Sequence, residues 1–257
     1  MNTTESNIQR LPLLLQELGR RLSREFLAKD EIIRLLLLSV IAGEHMLIVG
    51  PPGTAKSALV RSLANKLDAR YFEYLLTRFS EPNELLGPVD IQAFREGSFR
   101  RRTEQMLPEA EIAFLDEIFK ASSAILNSLL GLLNERTVQI GAERVTVPLL
   151  ALFAASNEVP SDDSLAALLD RFLLRVRSHN LEGFHFQQLV RFGLEQEKKL
   201  LGVFPSGTAS SPLLSAREIL LLRRELASRL QFSEEFLTEY KTLLAQIRSE
   251  GIFVSDR

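Results

Sequence analysis

Cysteine is absent from the 257 residues, which removes disulfide frameworks, thiolate metal sites and cysteine nucleophiles together. Histidine is scarce: His45, His179 and His185 stand far apart with no H-x-x-x-H pair, so nothing points to a zinc hydrolase. An excess of one charge is also missing, since 31 Lys and Arg face 33 Asp and Glu for a formal net charge of −2. Such a balance gives no general attraction to nucleic acid or an anionic membrane, and no nucleic-acid partner is expected. The longest apolar run, Leu35 to Ala42, is far short of the roughly 20 residues that cross a bilayer. Around Glu5, Arg10 and Pro12 the N-terminal leucines do not form the apolar core of a signal peptide. Together these absences make a reducing, cytoplasmic compartment the expectation.

What is present is ordinary globular material, 46% hydrophobic and 25% charged, which excludes a mainly disordered chain. The length suits one large domain, or a main domain with a small satellite. About one residue in five is Leu and only 7% are aromatic, a balance that favours helices packed through aliphatic seams. Short apolar runs at Met46–Val49, Tyr71–Leu76, Ile112–Leu115, Leu149–Ala154 and Leu173–Val176 have the length and character of buried parallel strands. Helical patterns at Thr54–Leu67, Ser122–Leu133 and Leu165–Arg171 alternate with them, so the spacing predicts βαβ crossovers and an α/β body over residues 1–180.

Two stretches interrupt that alternation. Residues 89–105 (VDIQAF, REGS, FRRRTEQ) and 137–147 both read as β-hairpins inserted into the α/β body. From 181 to 257 the pattern is helical: Phe184–Leu201, a Pro/Gly/Ser loop at 203–212, Ser215–Leu230 and Ser233–Glu250. Ser215 with Glu218 forms a capping box that fixes one helix start.

Three polar groups end three of the apolar runs. The segment Gly50-Pro51-Pro52-Gly53-Thr54-Ala55-Lys56-Ser57 follows the first and opens a helix through Ala58. A phosphate needs curled backbone N–H groups, a helix N-terminus and a cation, and this segment offers all three. Gly50 and Gly53 allow the curl, Lys56 would reach the β- and γ-phosphates, and the Ser57 hydroxyl would ligate Mg²⁺. Ala55 stands where the strict P-loop pattern has glycine, so the backbone there is expected to avoid conformations only glycine tolerates. Asp116 and Glu117 end the third run, one placed for a metal and the other to polarise an attacking water. Asn157 ends the fourth, suited to hold that water or the γ-phosphate.

The phrases GPPGTAKS (50–57), FEYLLTRFSEPNELLGP (72–88), LPEAEIAFLDEIFKA (107–121), ILNSLLGLLNER (125–136), AASNEVP (154–160) and LLDRFLLRV (168–176) resemble the MoxR family of AAA+ ATPases, most closely its RavA-like branch. The resemblance implies a P-loop NTPase fold: a five-stranded parallel sheet between helices, hairpin inserts facing the pore of a ring, and a small helical lid. It implies that Lys56 and Ser57 are the Walker A pair, Asp116 and Glu117 the Walker B pair, and Asn157 the first sensor. Arg171 matches an arginine finger acting on the neighbouring subunit's nucleotide, with Arg175 a weaker alternative. Arg257, in GIFVSDR, matches the second sensor, and because further lid helices follow that arginine in the family, the chain is expected to continue beyond it.

The expected function is therefore Mg²⁺-dependent ATP hydrolysis by a ring, of hexameric type, that remodels a protein partner as a chaperone does; the family analogy points to a von Willebrand factor A domain partner. A small-molecule P-loop kinase and a nucleotide-dependent switch or scaffold stand as alternatives. Among lesser signals, Arg100–Arg102 read as a solvated face, Glu135–Arg136 as a local ion pair or a contact across the ring, and His179 and His185 as structural. Phe26 and Leu27 read as adenine-flanking or core residues.

Overall fold

The computed structural model describes residues 3–141, 143–159, 165–180 and 212–251, with isolated positions between 187 and 198. Five strands, β1 (Met46–Val49), β2 (Tyr71–Leu75), β3 (Ile112–Asp116), β6 (Ala151–Ser156) and β7 (Leu174–Arg177), form one sheet in the order β2-β3-β6-β1-β7. All of its pairings are parallel. A second, two-stranded sheet joins β4 (Thr137–Ile140) to β5 (Glu143–Thr146), antiparallel with Thr137 opposite Thr146, as the sequence predicts for 137–147.

The continuous apolar runs are explained by burial on both faces. Met46, Ile48, Phe114, Phe153 and Ala155 point into one core, shared with helices α1 (Thr3–Glu25), α2 (Asp30–Ala42) and α3 (Lys56–Lys66). Leu47, Ala113, Leu115, Leu152 and Ala154, their alternating neighbours, point into a second core against α4 (Pro82–Leu86) and α6 (Ser123–Glu135). Helix α1 has no counterpart in the sequence reading. Leu11, Leu18 and Leu22 form its buried stripe, with Pro12 inside the helix. Partly buried Phe26 packs onto the first core.

His45, just before β1, ties the sheet to α6. Its Nδ1 accepts from the Leu152 amide at 3.1 Å, which leaves Nε2 to donate to the Leu133 carbonyl, also at 3.1 Å. Short helix α7 (Ala166–Leu169) leads into β7, and α8 (Ala216–Arg229) and α9 (Glu234–Ser249) close the described chain. The capping box of Ser215 and Glu218 starts α8 as expected. Arg223 of α8 pins that helix to the core by donating to the carbonyls of Val40 and Leu150. The expected helix at 184–201, the loop at 203–212 and Arg257 lie wholly or largely outside the described residues.

The insert at 89–105 is not a β-hairpin. Its only pairing is an isolated bridge between Val89 and Arg101, and helix α5 (Ile91–Arg95) fills the strand expected at VDIQAF. The cause is Asp90, whose carboxylate accepts from the Gln92 and Ala93 amides and so caps a helix where alternation mimics a strand. At the root of the insert Gly87 has φ +91°, and a Cβ there would lie 1.9 Å from the Arg102 carbonyl oxygen. Arg101 donates to Gly87 O and to Asn83, and Arg102 lies 3.6 Å from Asp90, so two of the three arginines hold the insert together instead of only facing solvent.

Ala55 also departs from the sequence reading. Its φ of +61° is left-handed, so the turn keeps the conformation glycine favours with a Cβ attached.

Gly87→Ala is expected to cost about 2 kcal/mol or more in urea unfolding, because both φ and the Arg102 carbonyl oppose the methyl group. Gly97→Ala, at φ +81° with open space around it, should cost only about 1 kcal/mol. Ala55→Gly should gain up to about 1 kcal/mol, the relieved left-handed strain less the added freedom of the unfolded chain.

Candidate functional site

The carboxyl ends of β1, β3 and β6 converge on one edge, where open α/β sheets take ligands. After Val49 the chain turns at Gly50, whose amide donates to Ser156 O at 2.9 Å. A Cβ at Gly50 would lie 2.1 Å from the Ser178 carbonyl oxygen, so only glycine lets the loop start this close to the end of β7. Gly53, at φ +80°, and Ala55 complete the curl, and Thr54 Oγ1 braces it by donating to Pro51 O at 3.0 Å. Pro51 and Pro52 are exposed on the outside of the turn, and Ala58 is exposed in the first turn of α3.

Lys56 is buried, and its ammonium donates to Gly50 O at 2.7 Å and Pro51 O at 2.9 Å. Burial pushes its pKa below the usual lysine value, while the charges of Asp116 and Glu117 act in the opposite sense. The loop therefore holds a cation at its centre through its own carbonyls, partners that a phosphate can replace with full charge compensation.

Asp116 is the last residue of β3, and its Oδ1 accepts from the Glu117 amide at 3.0 Å. Glu117 turns the chain at φ +54°. One Glu117 oxygen accepts from Asn157 Nδ2 at 2.7 Å, and the other lies 3.3 Å from the Lys120 ammonium. The structure thus joins two residues that stand 40 positions apart. A half-buried hydroxyl at Ser57 and the Asp116 carboxylate supply hard oxygen donors, a set that fits Mg²⁺, which keeps waters and takes only one or two protein ligands beside phosphate oxygens.

Two neighbours of the site escape the sequence reading. Lys120 is one. Lys29, buried between α1 and α2, donates to Ser178 Oγ at 3.1 Å and His179 O at 2.8 Å, bracing the strand end that crowds Gly50. Burial, then the Lys56 charge, lowers its pKa. Nothing in the spacing around Lys29 marks it, since its partners lie about 150 residues away. Arg175, the weaker arginine-finger alternative, donates to the carbonyls of Phe172 at 3.0 Å and Leu169 at 2.8 Å, so it braces the turn that carries Arg171.

Arg171 itself is not brought to the phosphate loop. Leu174 pairs with Met46, the first residue of β1, whereas the loop leaves after Val49, the last. The length of β1, roughly 10 Å at 3.3 Å per residue, plus a turn at each end separates the two. Arg171 lies 3.6 Å from Asp170, with its buried Nε lacking an acceptor among the described residues.

The MoxR domain of the MoxR-vWA-beta-propeller ternary systems matches residues 14–210. An uncharacterised protein of Methanocaldococcus jannaschii is 37% identical over 246 residues, 95% of this chain and 62% of its own length. A second from that organism is 47% identical over 162 residues, 63% of this chain and 43% of its own. The chain therefore spans less than two thirds of either relative. A crystal structure of an ATPase candidate from Cytophaga hutchinsonii superposes with a TM-score of 0.73 at 21% identity, covering 95% of this chain and 72% of that one, which shows a shared fold. On the extent of the domain match, the chain belongs to the MoxR family, built on the α/β fold of P-loop AAA+ ATPases.

Proposed function

We propose that the protein hydrolyses ATP as a ring-forming MoxR ATPase, its catalytic groups divided between the two edges of the sheet, and that it remodels or matures a protein partner. The observation that carries this reading is the division itself: Lys56, Asp116, Glu117 and Asn157 meet at the carboxyl edge, while Arg171 stands at the amino edge. Head-to-tail association in a closed ring sets one subunit's amino edge against the next subunit's carboxyl edge. Hexameric closure and the RavA-like branch belong to the same proposal. A von Willebrand factor A domain partner is favoured by the systems in which the matched MoxR domain occurs.

In the proposed reaction the loop amides and Lys56 hold the β- and γ-phosphates, and the helix start adds its dipole. Ser57 and Asp116 would hold Mg²⁺, which would offset the charge of the phosphates. Glu117 accepts the proton of the water that attacks the γ-phosphorus, and ADP leaves as the bond to its β-phosphate oxygen breaks. Asn157, already bonded to Glu117, fixes the direction of that carboxylate. Arg171 of the neighbour offsets the charge on the transferring group.

Glu117→Gln should keep ATP affinity within about twofold and lower turnover about 10²–10⁴-fold, the range for a lost general base. Nucleotide binding measured by calorimetry with steady-state phosphate release separates the two effects; unchanged turnover would remove Glu117 from the mechanism. In contrast, Lys56→Ala is expected to weaken ATP binding itself.

A further inference from the structure

A cavity of about 650 Å³ opens at the amino edge of the sheet, away from the phosphate loop. Its walls are the Gly43–His45 turn, the end of α6, the Asp170–Phe172 turn and Arg223 of α8, and four arginines line it: Arg136, Arg171, Arg175 and Arg223. Two of these are committed to backbone carbonyls, Arg175 to the Arg171 turn and Arg223 to the core. Arg136 and Arg171 are not fully used. Each has a buried Nε with no acceptor among the described residues.

Arg136 ends α6 in a left-handed conformation, φ +52°, and donates from Nη2 to Gly43 O. The Glu135–Arg136 ion pair considered from the sequence is not formed, because Glu135 turns outward to Arg144 at 2.6 Å. That leaves Glu44 and Asp170 as the other carboxylates at the cavity, the latter beside Arg171. Arg136 also stands close to a like charge: burial first, then the Arg136 guanidinium, pushes the pKa of Arg223 down to about 10. Guanidiniums gathered on one cavity where cations outnumber carboxylates are the chemistry of a site for a multiply charged anion.

We infer that Arg136 is a second trans-acting cation: with Arg171 it receives the phosphates of the nucleotide held by the adjacent subunit, and the cavity is their receptacle. This rests on the divided-site reading above. Arg171 fixes where the neighbour's phosphates must arrive, and Arg136 lines the same cavity beside it.

The test mixes full-chain variants. Arg136→Gln should lower turnover about 100-fold, as loss of one preorganised donor does, while ATP affinity of the variant subunit stays within about twofold. Mixed one to one with Glu117→Gln subunits, it should hydrolyse faster than the sum of the two alone, because Glu117→Gln subunits lend an intact Arg136 to neighbours with intact loops. A purely structural brace to Gly43 would instead leave the defect inside the subunit that carries it, and mixing would recover nothing. Arg171→Ala mixed with Glu117→Gln is the reference. Recovery in the reference without recovery for Arg136→Gln overturns the role of Arg136 and leaves the divided site standing; recovery in neither overturns both. If Arg136→Gln fails to fold, Arg136→Lys keeps the charge without the planar fork, and recovery or its absence on mixing decides between the two roles in the same way.

Discussion

Parallel pairing of all five strands is the constraint from which the rest of the structure follows. Strands that run one way must be joined by crossovers, so helices cover both faces and each strand is apolar throughout. The same direction sends every strand's carboxyl end to one edge, where the phosphate loop, Asp116, Glu117 and Asn157 collect from distant parts of the sequence. It also sends the approaches to β1 and β7, with His45 and Arg171, to the other edge. The division proposed for the active site would thus be a consequence of strand direction before it is a matter of particular side chains.

Backbone strain marks both edges. Ala55, Glu117 and Arg136 all have left-handed φ values, and each turns the chain at the end of a strand, helix or loop, at or beside a charged group of the candidate site or the cavity. Such conformations cost about 1–3 kcal/mol each and persist only where the surroundings hold them. Those surroundings are visible: Glu117 is clamped by Asn157 and Lys120, and Arg136 by its bond to Gly43. Gly50, Ser178 and Lys29 form a comparable brace for the phosphate loop.

Much of this is legible in the sequence where the determinant is local. The five apolar runs become the five strands, with ends displaced by up to two residues because a run buried on both faces has no alternation to mark its limits. The phosphate loop, the carboxylate pair and the capping box of α8 are likewise local patterns. Where the determinant is distant, the sequence is silent, as for Lys29, which gains its meaning from Ser178, or leaves alternatives open, as for Arg136, whose surroundings are Gly43 and Arg171. The insert misleads for a third reason. Its alternating residues suit a strand, and one side chain, Asp90, turns them into a helix. Ala55 shows the limit of residue preference, since the loop keeps a glycine-like turn without the glycine.

The central claim is that one subunit's nucleotide is hydrolysed with the help of the next subunit's amino edge. Its most direct test is the hydrolysis rate per subunit at saturating ATP and Mg²⁺, measured across protein concentrations with light scattering on the same samples. The account predicts a rate that rises with the assembled fraction and approaches zero for the separated subunit. A rate per subunit that stays constant from separated to assembled protein would contradict it.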